Sequence, residues 1–391
     1  MNGHRHPLHC ILPPYMQREI IENGTEEQRR QCLRNYVSAE AMRTQREIIA
    51  KEGPSDLTMG VVSAGLNRVI YTADNGSSLP GRQLRGEGGA PTGDPAADEA
   101  YDGAGATYDL FYDQYGRDSI DGNGMRIDST VHYRVGYDNA FWNGRQMVYG
   151  DGDEDLPESQ RLFNRFTIAV DIIGHELTHG VTQNTANLIY QGQAGALNES
   201  MSDVFGALVK QRLLGHTVIE ADWIIGEGLF TSKVNGLGIR SMKEPGTAYN
   251  DPVLGKDPQP GHMRDFVQTT ADNGGVHINS GIPNRAFYVA AYNLGGFAWE
   301  KAGQIWYLTL KSKLSESSTF AMAAAKTYEA AAELYGVGSL EQRAVRAGWA
   351  EVGIEIDAEP GTPEPPPNNG NARPGCGGSL MGLFRSLIGA D

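Results

Sequence analysis

The chain has 391 residues, and its 48 Asp and Glu residues outnumber its 33 Lys and Arg residues, which gives a formal net charge of −15. This charge argues against sequence-independent nucleic-acid binding, which depends on neutralising phosphates with basic side chains. The chain lacks a run of about 18 consecutive apolar residues, so no transmembrane helix is expected, and its three cysteines lie outside the long central region, so no disulfide framework is expected.

The first 55 residues form a polar, charge-dense segment. Thr25 and Gln28 have the spacing of a capping box, which predicts the start of a helix covering residues 26–51. Pro13 and Pro14 interrupt the apolar residues near the N-terminus, so this segment is not expected to act as a conventional secretory signal peptide.

The composition of the middle of the chain changes from strand-like to helix-like near residue 165. Between about 60 and 160, Gly, Asp, Asn and Tyr dominate, and the alternating runs at 68–73 and 129–135 predict strands in a loop-rich domain. From residue 166 onward, apolar residues recur at helical spacing. The predicted helices cover residues 167–181, 197–212, 281–293, 298–314, 319–335 and 340–352.

The segment 357–391 is predicted to be an appendage without a core of its own. Residues 359–375 are rich in Pro and Gly, which is typical of a linker. Five apolar residues beyond the linker could form one face of a short amphipathic helix, and a disordered end is the simpler alternative. These residues are Leu380, Leu383, Phe384, Leu387 and Ile388.

The sequence HELTH at residues 175–179 carries the strongest chemical signal. On a helix His175 and His179 are four residues apart, so both imidazoles lie on one face and can bind the same Zn²⁺. Glu176 points to one side of that position, where a carboxylate can take a proton from a water molecule. The alternative is a buried helix that contains two histidines by chance.

A third ligand is expected because catalytic zinc is usually held by three protein ligands and keeps one open position. Glu199 follows His179 by 20 residues, at the start of another helical pattern, so a return helix could bring its carboxylate to the same metal. Asp203 lies one helical turn after Glu199, where it can accept the second ring N–H of a histidine ligand and fix its tautomer.

Four sequence blocks stand in the order found in the thermolysin family of zinc endopeptidases, which this chain resembles from about residue 60 to 356. The blocks are NAFWNGRQMVYGDGDED (139–155), GHELTHG (174–180), GALNESMSD (195–203) and DNGGVHINSG (272–281). The Pro-Pro-Tyr sequence at 13–15 and the short N-terminal segment are more narrowly similar to the protealysin group.

The resemblance implies an α+β fold of two domains, a β-rich N-terminal domain and a mostly helical C-terminal domain, with the zinc site in the cleft between them. The implied boundaries are an inhibitory prosegment at 1–55, a β-rich catalytic domain at 56–165, a helical catalytic domain at 166–356 and a tail at 357–391. The end of the prosegment is expected between residues 45 and 65. The implied activity is that of a neutral endopeptidase that prefers large apolar residues after the cut.

The resemblance also implies a role for each residue at the metal. His175, His179 and Glu199 correspond to the zinc ligands of the family, and Glu176 corresponds to the general base that acts on water. No nucleophilic Ser or Cys is needed for this chemistry, and the cysteines lie outside the catalytic blocks.

The groups around the metal have counterparts in the family as well. His277 and Tyr190 correspond to donors that stabilise the oxyanion of the transition state, and Asp272 corresponds to the residue that orients His277. Asn198 and Asp203 resemble the partners of the histidine ligands.

Substrate binding is implied for a further set of residues. Asn139 and the backbone of Ala140 resemble an edge strand that pairs with the substrate backbone, and Arg240 resembles the arginine that binds a carbonyl on the primed side. Five residues would line an apolar pocket for the side chain after the cut. They are Phe163, Phe166, Ile172, Ile225 and Ile239.

A possible calcium site departs from the family pattern. Asp171, Asp222 and Glu227 match carboxylates of that site, but Lys210 falls where an acidic ligand is expected. An ammonium among carboxylates can replace the charge of a cation, so the site could hold one calcium ion or none.

The N-terminal segment is expected to inhibit the enzyme until the precursor processes itself, with residues 11–16 lying in the substrate cleft. Cys10, just before them, is expected to be an incidental thiol, and a switch ligand that binds the zinc is the alternative. The chain is expected to act as a monomer on peptides and proteins, secreted by a route without a conventional signal peptide or retained in the cytoplasm. Two other functions stay open: a zinc-bound binding module without activity, and a membrane- or partner-binding effector directed by the tail.

Overall fold

The described part of the computed structural model comprises residues 9–37 and 65–356. The predicted helical residues beyond 37, the expected end of the prosegment and the tail with its linker lie outside the described residues. None of the described helices is long and apolar enough to cross a membrane.

Six strands form one mixed sheet in the order β1-β5-β6-β4-β2-β3. β2 is parallel to β4 and β4 to β6, whereas the other neighbours are antiparallel. The edge strand β1 comes from the N-terminal segment and pairs with β5, which places Cys10 opposite Phe141. The strands are β1 His9–Cys10, β2 Arg68–Thr72, β3 Arg82–Gly86, β4 Ile127–Val131, β5 Ala140–Trp142 and β6 Met147–Tyr149.

The two strands predicted from alternation correspond to β2 and β4, but β4 is shorter than predicted. It ends at Val131, before His132 and Arg134, whose φ angles are 53° and 60°. Such left-handed backbone does not continue a strand.

A long helix that the sequence did not predict, α3 (Pro95–Tyr115), packs on this sheet. Its ends carry ordinary signals, since Asp94 accepts a hydrogen bond from the Ala96 N–H and Gly116 ends the helix in a left-handed conformation. A Cβ atom at Gly103 would lie 2.4 Å from Ile173 Cδ1, so glycine permits close packing on the next helix. Gly103 and Gly105, which lie inside the helix, weaken the helical signal in the sequence.

Helices dominate from residue 166 onward, close to the predicted positions. A short 3-10 turn at Phe166–Ile168 precedes α4, and α5 begins five residues before its predicted start. The helices are α4 Val170–Gln183, α5 Gly192–Leu214, α6 Asp272–Asn279, α7 Gly281–Leu294, α8 Lys301–Ser312, α9 Phe320–Tyr335 and α10 Leu340–Glu351. Two-stranded pairings lie between them, β7 (Ile224–Ile225) with β8 (Arg240–Ser241) and β9 (Asn250–Asp251) with β10 (Gly255–Lys256).

α4 and α5 approach each other closely because both carry glycine at their contact. A Cβ atom on Gly206 would lie 2.4 Å from the Asp171 carbonyl oxygen, and one on Gly174 would lie 3.0 Å from Gly206 Cα. This close contact brings the polar side chains of the two helices within reach of one another.

The N-terminal segment adds two helices, α1 (Pro14–Asn23) and α2, which is helical over residues 26–37. The capping box is present, since the Thr25 N–H donates to Gln28 Oε1 and the Gln28 N–H donates to Thr25 Oγ1. Ile11, Leu12 and Met16 are buried in the main hydrophobic core together with residues of the later helices. The segment is therefore packed as part of the core.

Candidate active site

Three side chains from α4 and α5 converge in the interior of the protein. His175 Nε2 and His179 Nε2 lie 3.0 Å apart, and each lies 3.5 Å from a carboxylate oxygen of Glu199. All three residues are fully or almost fully buried. In the described part of the chain this is the group of His, Cys, Asp and Glu residues whose ligand atoms lie close enough together to hold one metal ion.

The hydrogen bonds around the two histidines fix which ring nitrogen faces the centre. His175 Nδ1 lies 2.8 Å from Asp203 Oδ1, and His179 Nδ1 lies 2.9 Å from Asn198 Oδ1. Because these partners are acceptors, the protons belong on Nδ1, and both Nε2 lone pairs face inward. Ser202, which the sequence analysis did not single out, adds its hydroxyl 3.0 Å from His179 Nδ1.

This arrangement fits a cation. Two Nε2 lone pairs face each other, and Glu199 Oε2 is buried without a hydrogen-bond partner. Such a set of atoms is repulsive by itself and becomes favourable around a positive ion. Two imidazoles and a carboxylate are the donor set of catalytic zinc sites.

Glu176 directly follows the ligand candidate His175 and is held by strand β5. Its Oε2 accepts the backbone N–H of Trp142 in β5 at 3.0 Å. The side chain is fully buried. The carboxylate is thus positioned between the metal ligands of α4 and the strand that is expected to bind substrate.

His277 and Tyr190 both lie against Glu199. Tyr190 Oη is 3.1 Å from His277 Nε2 and donates a hydrogen bond to Glu199 Oε1. Asp272 accepts from His277 Nδ1 at 2.6 Å and from the His277 backbone N–H at 2.9 Å. Burial alone would lower the pKa of His277, but the carboxylates of Asp272 and Glu199 raise it to about 9, which favours the donor form of the ring.

Asp203, which accepts from His175 Nδ1, also forms a buried ion pair with Arg240. Asp203 accepts from Arg240 Nε at 2.8 Å and from Nη2 at 2.7 Å, and also from Asn284 Nδ2 at 2.8 Å. Burial would raise the pKa of Asp203, but Arg240 and His175 hold it well below its ordinary value. Arg240 Nη1 is buried without a hydrogen-bond partner, so it can still bind a carbonyl. Asn284 was not predicted, because nothing in its sequence position indicates this contact.

The expected substrate-binding strand is occupied by the N-terminal segment. The Ile11 N–H donates to Ala140 O at 3.2 Å, and the Leu12 N–H donates to Asn139 Oδ1 at 3.1 Å. The carbonyl oxygen of Cys10 lies 3.2 Å from His277 Nε2. Residues 10–12 thus lie along the strand and reach the His277 ring.

The Cys10 side chain does not reach the metal group. It packs with Tyr133, Tyr137 and Phe141 in a small separate cluster, and the described metal-binding group does not include it. The hypothesis that its thiol is a switch ligand is therefore wrong for this structure, and the Cys10 carbonyl lies near His277 Nε2 and not at the three metal-binding side chains.

The five apolar residues expected to line the substrate pocket are all buried, and their contacts place them in two groups. Ile172 and Ile239 flank Gly226, whose neighbour Ile225 pairs with Arg240 across β7 and β8. Phe163 and Phe166 pack on each other with ring centroids 6.0 Å apart. Their assembly into one pocket stays a prediction.

The carboxylates of the possible calcium site surround the ammonium group of Lys210. Lys210 Nζ lies 2.6 Å from Asp222 Oδ2, 2.9 Å from Glu227 Oε2 and 3.6 Å from Asp171 Oδ2. Burial opposes its charge, but these carboxylates raise the pKa of Lys210 above its ordinary value. Burial raises the pKa of Asp171, the deepest of them, to about 6, so it is ionised at neutral pH. A calcium ion would have to displace this ammonium, so the site does not fit calcium.

Comparison with known families matches two adjoining regions of the chain. Residues 68–183 match the catalytic domain of thermolysin metallopeptidases, and residues 186–354 match their alpha-helical domain. The boundary between the matches lies just after α4, within the site described above.

Individual relatives agree with this match. The chain is 47% identical over 355 residues to an extracellular metalloprotease of Pectobacterium carotovorum subsp. carotovorum, covering 90% of this chain and 98% of the relative. It is 46% identical over 352 residues to Protease PrtS of a Photorhabdus species, covering 89% and 93%. The structure resembles the precursor of protealysin from Serratia proteamaculans with a TM-score of 0.79 and 50% identity, over 88% of this chain and 99% of that one.

Proposed function

This chain belongs to the thermolysin family of metallopeptidases, and we propose that it is a self-processing zinc endopeptidase that cuts before large apolar residues. It has the β-containing N-terminal catalytic region and the helical C-terminal domain of that family. The observation that carries the proposal is the convergence of His175 Nε2, His179 Nε2 and the Glu199 carboxylate. A bound zinc ion would supply a Lewis acid that polarises the scissile carbonyl and makes water more acidic.

The side chains around this group divide the remaining work. Glu176 would accept a proton from the attacking water molecule and return it to the leaving amine. His277 and Tyr190 would donate to the oxyanion as its charge develops, and Asp272 would keep the His277 ring oriented. Removal of one such donor typically lowers the rate about a hundred- to a thousandfold.

Substrate would bind by adding a strand to the sheet at β5. Asn139 Oδ1 and Ala140 O would accept from the substrate backbone, as they do from residues 11 and 12 of this chain. Arg240 Nη1 would bind a substrate carbonyl on the primed side. The preference for large apolar residues would come from Ile172, Ile239 and their buried neighbours.

We propose that residues 1–55 are a prosegment that inhibits the enzyme by occupying this cleft. Cys10, Ile11 and Leu12 take the hydrogen bonds that a substrate would need. The similar protealysin structure is that of a precursor, which agrees with this proposal. The cut that releases the segment would fall between 45 and 65.

We further propose that the Lys210 cluster needs no calcium, because the chain supplies the positive charge.

The names of relatives favour action outside the cell, since two are called extracellular. Activity recovered from culture supernatant, with a cytoplasmic marker absent there, would support export. Light scattering of the purified protein would test the expected monomer.

The test of the main proposal is hydrolysis of a quenched peptide with Leu after the scissile bond, compared with the same peptide carrying Asp there. Wild type, Glu176→Ala and zinc-chelated wild type would each be analysed by mass for loss of the N-terminal segment. We expect activity and processing to be lost together in the last two, and to persist in the control Glu300→Ala, which changes an exposed glutamate. A zinc-loaded wild type that cuts neither peptide, even after trypsin removes the segment, would indicate the inactive binding module instead.

A further inference from the structure

Two buried carboxyl groups, Asp138 and Asp153, meet where α2 packs on the sheet. Gln31 Nε2 lies 3.1 and 3.2 Å from the two oxygens of Asp138 and 2.8 Å from Asp153 Oδ1. Asn35 Nδ2 donates to Asp138 Oδ2 at 3.2 Å and to the carbonyl of Gly136 at 2.9 Å. We call the two carboxyl groups and the Gly136 carbonyl the acid recess. It offers acceptors, and α2 supplies amide donors to it.

The charged groups that face the acid recess are themselves acidic. Asp153 and Asp155 act on Asp138, and Asp155 also acts on Asp153. Cys32 is the titratable group of α2 whose pKa responds to the recess: burial together with Asp138 and Asp153 raises the pKa of its thiol to about 12, so it stays neutral. The groups that act most strongly on the two carboxyl groups are each other, Asp155, Gln31 and backbone N–H groups, and these include no cation.

Two adjacent buried carboxyl groups without a cation cannot both ionise at low cost. Burial and the neighbouring Asp153 raise the pKa of Asp138 well above its ordinary value. Burial raises the pKa of Asp153 to about 6. The recess therefore holds a proton more readily while α2 covers it than it would in water.

The recess is directly linked to the strand that holds the cleft-bound residues. Asp138 precedes Asn139, whose Oδ1 accepts the Leu12 N–H. The second oxygen of Asp153 accepts the backbone N–H groups of Leu162 and Phe163, at 2.7 and 2.9 Å. A change at the recess therefore acts on the strand that the N-terminal segment occupies.

We propose that the acid recess is the docking site of α2 and that docking takes up a proton, so the N-terminal segment is held most tightly in acid and loosens as the pH rises. When α2 leaves, water reaches both carboxyl groups, and their pKa values return toward the ordinary range. The docked state therefore binds more protons than the open state, and rising pH favours opening. The inference rests on the proposed role of this segment as a prosegment.

The size of the effect follows from the number of protons. If one proton is released, the opening equilibrium constant increases by up to about tenfold per pH unit across the range between the open and docked pKa values. An acidic precursor environment would keep the enzyme latent, and neutral to alkaline conditions would favour its maturation.

The test uses the full chain carrying Glu176→Ala, in which self-processing is removed. Hydrogen exchange of the backbone amides of residues 26–37, measured by mass spectrometry from pH 5 to 8.5 and corrected for the intrinsic rate, reports the opening of α2. We expect opening to increase steeply with pH in this parent and to stay near its acid value in Asp138→Asn, because the amide resembles the protonated carboxyl group. Glu27→Gln, an exposed acid-to-amide change on the same helix, should behave as the parent does.

A second variant keeps the inference testable if Asp138→Asn does not fold. Gln31→Glu places a third carboxyl group against the recess, so more protons are linked to docking and the pH dependence should become steeper. A parent whose α2 protection does not change with pH, an Asp138→Asn variant with the slope of the parent, or a Gln31→Glu variant with no steeper slope would each overturn the inference.

Failure of the prosegment proposal would look different. In the active chain, removal of the N-terminal segment that leaves peptide hydrolysis unchanged would refute the prosegment, whatever the exchange slope of α2.

Discussion

Helix α4 takes part in two groups of potential metal ligands that differ in the source of their positive charge. In its first turn, Asp171 faces the ammonium group of Lys210, which belongs to the chain itself. One and two turns later, His175 and His179 face Glu199, and one oxygen of that carboxylate is buried without a hydrogen-bond partner. Carboxylates alone therefore do not make a metal site. A group of carboxylates needs a metal ion only where no side chain already supplies the positive charge.

The largest expected effect removes the charge of the second cluster. Glu199→Gln keeps the shape of the side chain but loses a charged zinc ligand, so we expect the protein to retain little zinc and to lose activity by about a thousandfold or more. Metal analysis after dialysis and peptide hydrolysis would check this. A variant that keeps one tightly bound zinc ion per chain would contradict the ligand assignment.

The next largest effect is expected when the ammonium group of the Lys210 cluster is removed. Lys210→Met leaves the buried carboxylate of Asp171 without its partner, so we expect the free energy of unfolding to fall by about 2–3 kcal/mol. Denaturant unfolding would measure the loss, and millimolar calcium should restore part of it, because the carboxylates can then bind the ion. Equal stability of the variant and wild type would show that the ammonium does not neutralise this cluster.

Support of a zinc ligand gives a smaller effect. Asp203→Asn weakens the acceptor of His175 Nδ1, and loss of such a partner typically lowers metal affinity about 10- to 100-fold. Competition with a zinc-binding dye would measure the affinity. Asp203 also binds Arg240 and Asn284, so a matched Asn284→Ala variant separates the two contributions. Zinc affinity that falls as far in Asn284→Ala as in Asp203→Asn would argue against a direct effect on the histidine.

The smallest effect concerns the exposed edge of the first cluster. The Glu227 side chain is 58% exposed, so solvent screens its contact with Lys210, and Glu227→Gln should change stability by about 0.5 kcal/mol or less. A calcium-selective chelator should likewise leave the melting temperature of wild type unchanged. A clear drop with the chelator would mean that the cluster binds calcium despite its lysine.

The sequence predicted the parts of the site that depend on spacing within one or two helices. His175 and His179 lie one turn apart, and Glu199 lies on the next helix, so periodicity was enough to place them together. The α+β fold of the thermolysin family, recognised from four motif blocks, is confirmed by the match to the protealysin precursor. The predicted helices from residue 167 onward start and end within about five residues of their observed bounds, whereas only two strands were predicted, at β2 and in part at β4.

What the sequence could not predict are contacts between distant positions that carry no local pattern. Gln31 reaches Asp138 across 107 residues and Asp153 across 122, and an ordinary glutamine on a helix gives no sign of this. Helix α3 was missed because its glycines conceal the helical pattern, although Gly103 is what lets it pack on α4 and Gly105 makes room for Arg68. The alternative that the Cys10 thiol binds the metal was wrong, because nearness in sequence does not determine the direction of a side chain.

That zinc, and not calcium, is the required metal ion is best tested by titrating zinc into the chelator-treated, fully processed chain. Peptide hydrolysis and the melting temperature are measured at each step, with and without calcium. We expect activity to return in proportion to added zinc and to reach its plateau at about one ion per chain, while calcium changes neither activity nor melting temperature. Activity that persists without zinc, or that returns only when calcium is also added, would contradict this expectation.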